Sequence, residues 1–207
     1  TLDRLKLAEN TLIVFCSDNG PVLDDGYKDG AIENNGNHHA AGPYSGGKYS
    51  VLEGGTRTPF ITRWKGRVPA GESDKLVCTI DMAASFALMT GAELKKNACI
   101  DSFNVLGAML GEKGANGRDH LVQQDNGKGG NYGLRVGNWK LQRHDTKQAR
   151  NVKVESPLAS TKVTRYRLFD LSKDPGEKMN VLDAHPEVAK RLIAQLEKVI
   201  TDGRSRN

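Results

Sequence analysis

The chain has 207 residues, 37% apolar and 27% charged, a mixture too even for a disordered segment. No apolar run is long enough to cross a bilayer as a helix, and Thr1-Leu-Asp-Arg-Leu-Lys-Leu7 lacks the basic, apolar and small-residue layout of a signal peptide. The net charge of +5 is interspersed with acidic residues, which suits a solvated surface or an anionic ligand, and no aromatic-interleaved basic stripe argues for nucleic acid.

Leu2, Leu5, Leu7 and Ala8 read as the last turns of a helix closed at Glu9-Asn10. The apolar run Leu12 to Cys16, rich in β-branched and aromatic residues, predicts a parallel strand buried on both faces. Such a strand needs neighbours on both sides, so the opening predicts more protein upstream. The run ends in Ser17-Asp18-Asn19-Gly20-Pro21, which gathers oxygen donors at the strand's carboxyl end, where open α/β sheets collect ligands. Asn19-Gly20 also suits a tight hairpin, but the following 22–37 is polar and offers no second strand. A long polar loop runs to Gly47, too long to be idle in a compact domain. It holds Asp24-Asp25-Gly26-Tyr27 and Asn34-Asn35-Gly36-Asn37-His38-His39, and leads into Gly46-Gly47-Lys48.

Phe60 to Trp64 reads as a short strand. Leu76 to Met89 has helical spacing, with Thr79 or Asp81 as N-cap and Gly91 beyond its end. Phe103 to Leu110 is a second short apolar segment. The polar, glycine-rich stretch from Gly111 to Gly133 predicts a boundary between a part over 1–114 and a part over 115–207. Leu134 to Val136 and Trp139 to Leu141 flank Gly137-Asn138 as a hairpin. The segment 144–164 is a basic polar insertion, and Tyr166 to Leu171 is another strand. Pro186 opens an amphipathic helix with Val188, Leu192, Leu196, Val199 and Ile200 on one face and Gly203 past its end. The expected result is a small antiparallel sheet covered by one helix. Cys16, Cys78 and Cys99 lie in or beside apolar segments without metal-ligand spacing, which predicts buried free thiols.

Ser17-Asp18-Asn19-Gly20, Gly46-Gly47-Lys48 and Leu52-Glu53-Gly54-Gly55-Thr56-Arg57-Thr58-Pro59-Phe60, in that order, resemble the second half of an arylsulfatase-type sulfatase of the alkaline-phosphatase superfamily. The likeness continues through Asp101-Ser-Phe-Asn104, Gly117-Arg-Asp-His-Leu121, Leu134 to Leu141, Leu168 to Glu177 and Asp202-Gly-Arg-Ser-Arg206, and so covers nearly the whole chain. It implies an α/β fold: the C-terminal part of the sulfatase α/β sandwich sheet, plus a small antiparallel subdomain under a C-terminal helix. The Gly42 to Ser50 stretch resembles bacterial sulfatases acting on sulfated glycans. By this resemblance Asp18 and Asn19 are ligands of a calcium or magnesium ion, Asp18 also takes part in catalysis, and Lys48 contacts the sulfate group as a catalytic and substrate-binding residue. His38 and His39 are substrate-binding candidates, and two adjacent histidines in a polar loop are equally suited to solvent. Tyr44-Ser45 stands where other members often carry Leu-Arg, a departure that bears on substrate choice. Glu53, Arg57 and Trp64 read as structural, and Trp139 as core.

The family's formylglycine nucleophile arises from Cys or Ser in a C-x-P-S-R or S-x-A-x-R setting, and no cysteine or serine here lies in one. The paired aspartates that complete the family's metal site are also missing. The expectation is therefore a C-terminal fragment of a periplasmic or secreted enzyme, inactive alone and prone to self-association through strand edges left unpaired. Two other readings stand beside it. One is a phosphoric ester hydrolase of the same superfamily, and the other is a non-catalytic module that binds anionic glycans.

Overall fold

The computed structural model describes residues 1–23, 25–125, 131–144 and 164–206. Asp24, the Gly127–Gly130 run and most of the basic insertion lie outside the described residues. The chain divides into two compact units: Thr1–Ser17, Pro59–His120 and Lys198–Asn207 in the first, Asp18–Thr58 and Leu121–Glu197 in the second.

In the first unit, the opening residues form turns and a single 3-10 turn at Ala8–Asn10 instead of the expected helix end. Lys6 takes a left-handed conformation (φ 57°), which breaks helical continuity. Strand β1 (Ile13–Cys16) pairs antiparallel with β2 (Phe60–Arg63), Phe15 opposite Ile61. The strand falls where the apolar run placed it, but the expected parallel pairing is overturned. So is burial on both faces, since Phe15 is 63% and Ile61 57% exposed. The covered side is held by Thr62, whose hydroxyl donates to the Met109 carbonyl at 2.6 Å, and by buried Trp64, whose indole N–H donates to the Glu9 carbonyl at 2.8 Å.

Within the apolar stretch from Leu76 the helix itself begins after Asp81, one of the two N-cap positions read from the sequence. A 3-10 turn at Thr79–Asp81 leads into α3 (Met82–Thr90), which Gly91 closes at φ 72°. Asp81 stands just before the helix, but its carboxylate takes donors from outside it: the Cys78 and Phe103 N–H groups at 2.9 Å and the Arg118 guanidinium at 2.5 Å. The helix's own Ala84 amide is capped instead by the Ser102 hydroxyl at 2.9 Å. Helix α4 (Leu106–Met109) puts Met109 in the same core. All three thiols are free, but Cys99 is exposed and Cys16 and Cys78 are half-buried, because the apolar residues beside them are themselves only partly covered.

In the second unit the long loop contains one short helix, α1 (Ala31–Asn35), and is followed by α2 (Glu53–Thr56). Four antiparallel strands follow in sheet order: β3 (Leu121–Gln124), β4 (Tyr132–Val136), β5 (Trp139–Arg143) and β6 (Tyr166–Asp170). The β4–β5 turn is the two-residue hairpin at Gly137-Asn138, with Val136 opposite Trp139. Leu134, Leu141 and Leu168 lie side by side across the sheet and are fully buried. Helix α5 (Pro186–Asp202) buries Ala189, Leu192 and Leu196, and its Glu197 accepts from Arg143 of β5 (2.9 Å) and Tyr166 of β6 (2.7 Å). Trp139 is half-buried, its ring edge-on to His185 with centroids 4.9 Å apart.

Candidate functional site

The candidate site residues Asp18, Asn19, His38, His39 and Lys48 all fall in the second unit. Their loops converge on α2, whose Glu53-Gly54-Gly55 lets backbone approach backbone. The Gly20 N–H donates to the Gly55 carbonyl at 2.9 Å, and the Gly54 N–H donates to the Ser45 carbonyl at 2.8 Å. A Cβ on Gly20 would lie 1.8 Å from the Gly54 oxygen, and one on Gly54 would lie 2.4 Å from the Ser45 oxygen, so both approaches require glycine. The Lys48 N–H donates to the Pro21 carbonyl at 2.9 Å, two residues past Asn19. The turn bearing Asp18 and Asn19 and the turn bearing Lys48 are thus neighbours.

Asp18 is exposed and Lys48 half-buried, its ammonium 5.0 Å from the centre of the Tyr49 ring. Asn19 donates its side-chain Nδ2 to the Gly20 carbonyl at 2.9 Å. His38 and His39 are both exposed and line an open cavity of about 780 Å³ together with Pro21, Ile32, Asn35 and Tyr44. Pro21 links that cavity to the Asp18 turn, while Asp18, Asn19 and Lys48 do not line it. Among the described residues no group of three or more His, Cys, Asp or Glu side chains could hold a metal ion.

What holds the convergence is a buried charge network that sequence reading saw only in part. The Glu53 side chain, without solvent exposure, accepts from Lys140 Nζ and Arg135 Nη1, each at 2.9 Å, with Arg57 at 3.7 Å. The Glu53–Arg57 pairing across the two glycines matches the structural role read from their spacing, and the Arg57 N–H also donates to the Glu53 carbonyl at 2.7 Å. Glu177 accepts the Glu53 backbone N–H at 2.6 Å and the Gln142 amide at 2.7 Å, and Ser45 donates to the Gly176 carbonyl at 2.5 Å. Burial pushes the Glu53 carboxyl up, but Lys140 and Arg135 outweigh it and hold it below its ordinary value of 4.5. Burial also raises Glu177, with the Glu53 charge adding to the effect while Lys140 opposes it. Lys140, Gln142 and Glu177 escaped the sequence reading because a lysine and a glutamine on alternate strand positions ordinarily face water. The available signal was Gly133 opposite Gln142, which leaves room for the long Lys140 stem.

Two small antiparallel sheets with short helices and a long C-terminal helix make this a mixed α/β protein. The sulfatase family model matches residues 1–92. N-acetylgalactosamine-6-O-sulfatase of Bacteroides thetaiotaomicron is 40% identical over 201 residues, 97% of this chain and 38% of that protein. Human arylsulfatase A is 31% identical over 219 residues, 97% of this chain and 41% of that protein. A solved structure from the metabolism of multiple glycosaminoglycans by Bacteroides thetaiotaomicron superposes with a TM-score of 0.84 at 40% identity, over 97% of this chain and 41% of that one. The chain belongs to the sulfatase family. It spans 38% and 41% of the length of these two curated relatives.

Proposed function

We propose that the intact protein is a sulfuric ester hydrolase of sulfated glycans. In this reading residues 1–114 belong to its α/β catalytic domain and 115–207 to a C-terminal sheet-and-helix subdomain. The reading rests on the 2.9 Å bond between the Lys48 N–H and the Pro21 carbonyl, which joins an ammonium-bearing turn to one rich in oxygen donors. The B. thetaiotaomicron relative named for N-acetylgalactosamine-6-O-sulfate chemistry supports a sulfated sugar as substrate. The intact enzyme then works in the periplasm or outside the cell.

Asp18 and Asn19 offer a carboxylate and an amide oxygen, hard donors that suit calcium or magnesium. Calcium takes roughly 6–8 oxygens, so these two are part of a set completed by the rest of the intact protein. When bound, such an ion draws charge from a sulfate oxygen. The residues present do not fit a formylglycine, since none of Cys16, Cys78 and Cys99 stands in its motif. Lys48 binds the sulfate oxygens through a compact charge on a glycine-lined turn. One of His38 and His39 orients the sulfate or protonates the leaving alcohol, and Asp18 is a carboxylate able to hold a proton at its Oδ atoms.

Hydrolysis of a fluorogenic aryl sulfate, with and without calcium, tests this. The 207-residue chain alone shows no turnover. Expressed as the intact protein it turns over, and Lys48→Ala lowers the rate roughly a hundredfold. Robust turnover by the isolated chain, or an intact protein that cleaves phosphate esters and leaves sulfate esters untouched, overturns the reading.

A further inference from the structure

The closing Asp202-Gly-Arg-Ser-Arg206 stretch takes no part in that site and belongs to the other compact unit. It lies along residues 96–101: the Arg206 N–H donates to the Ile100 carbonyl at 3.1 Å and the Ser205 N–H to Asp101 Oδ1 at 2.6 Å. The two arginine side chains also reach this segment, Arg204 Nη2 to the Lys96 carbonyl at 3.5 Å and Arg206 Nη2 to the Ala98 carbonyl at 2.9 Å. Lys95 and Lys96, both exposed, belong to the same segment. Four cations from two stretches of the unit far apart in sequence therefore lie along one segment.

Backbone carbonyls fix the guanidinium groups in place without neutralising them. Among the described residues none of the four cations has a carboxylate at ion-pair distance, and the Nε groups of both arginines are buried without an acceptor. Of the nearby acids Asp202 pairs with Lys198, while Asp101 accepts the Ser205 amide and keeps its charge against the four cations. Glu93 is exposed two residues before Lys95 and leaves the balance positive. Solvated lysines spend entropy when they close on an anion, whereas a guanidinium already held by a carbonyl has less to lose.

We propose that Lys95, Lys96, Arg204 and Arg206 form an auxiliary anchoring surface for a sulfated polysaccharide chain. Charges spread over two segments suit a polymer with repeated sulfates better than a single small anion, each guanidinium offering the terminal N–H groups that its carbonyl leaves free. The choice of a sulfated glycan over other polyanions rests on the proposed function. The anchoring itself rests only on the patch.

Binding of the 207-residue chain to chondroitin sulfate, measured by calorimetry and by salt elution from an immobilised column, tests it. The wild-type chain binds, and desulfated polymer does not retain it. Lys95→Ser with Lys96→Ser, and the same pair with Arg204→Gln, lower affinity by roughly tenfold at low salt while far-UV dichroism is unchanged. The lysine pair alone keeps the test valid if Arg204→Gln loosens the terminus. Lys48→Ala leaves polymer retention largely intact. Unaltered binding by the lysine pair overturns the inference, as does no binding at all or equal retention on DNA of matched charge. Loss through Lys48→Ala alone also overturns it while sparing the anion-site reading.

Discussion

Glu53 carries its charge where water does not reach, which only paired cations can make tolerable. Glu53→Gln removes the carboxylate that both buried Lys140 and Arg135 donate to, leaving the Lys140 ammonium in the interior without its ion-pair partner. We expect a loss of about 3–5 kcal/mol, seen as a melting point lower by roughly 10 °C in calorimetry. The pH dependence has a definite sign. Because the folded Glu53 carboxyl titrates below 4.5, its contribution is fully present above that value and is lost as pH falls through the folded pKa. The gap in melting temperature between wild type and Glu53→Gln should therefore be widest near neutrality and close as pH falls below 4.5 through the folded pKa. Glu177 has the opposite sign, being raised: its ionisation costs stability, so its own effect grows as pH rises from 4.5 through its folded pKa. A gap that widens in acid would show that Glu53 is not the charge that matters.

At the scale of elements, α2 matters less for its single turn than for what its glycines admit. Gly20→Ala would drive a methyl into the Gly54 carbonyl, an overlap with backbone that no rotamer can relieve. We expect about 1–3 kcal/mol of destabilisation or more, with amide hydrogen exchange at Gly20, Gly54 and Lys48 accelerated more than at the sheet residues Leu134 and Leu168. A uniform change across the unit would mean that these loops are not locked through α2. Helix α5 offers the complementary case. Leu192 has no exposure, so Leu192→Ala should cost about 2–5 kcal/mol, measured by urea denaturation. Strongly periodic elements such as α5 and the Gly137-Asn138 hairpin were legible in sequence, because their pattern and their end signals agree. Strand β3 was not: Gln123 and Gln124 are polar, and Gln123 belongs because its amide donates to the Thr56 hydroxyl at 2.7 Å, a long-range partner that local reading cannot supply. The N-cap position of α3, Asp81, was legible, but the capping partner was not, since the Ala84 amide is capped by Ser102, remote in sequence. At the candidate site the turns bearing Asp18, Asn19 and Lys48 were named from motifs and resemblance, and their adjacency through the Lys48–Pro21 bond is what the structure adds. The buried network beneath them was not, since its members come from β4, β5 and the 176–177 turn.

For the molecule as a whole, what stands out is the apolar surface left in the open on the first unit. Phe15 and Ile61 are paired across β1 and β2 on the uncovered face, and β1–β2 has no further strand on either side among the described residues. A two-stranded sheet is marginal by itself, and edges with unpaired N–H and C=O groups template pairing with another chain. The net charge of +5 opposes association only weakly at physiological salt, where screening acts within about 8 Å. Burying a phenylalanine ring contributes about 1.5–3 kcal/mol, more than an exposed charge pair costs or gains. The apolar term should therefore win, and the 207-residue chain should self-associate as concentration rises. Phe15→Lys on an exposed position leaves the described core untouched and adds a charge to the sheet surface that such contacts must bury. Sedimentation velocity from 5 to about 200 μM should show the wild-type weight-average mass climbing and the Phe15→Lys mass staying near 22.6 kDa. A wild-type chain that sediments as a clean monomer throughout would mean that this face is not adhesive.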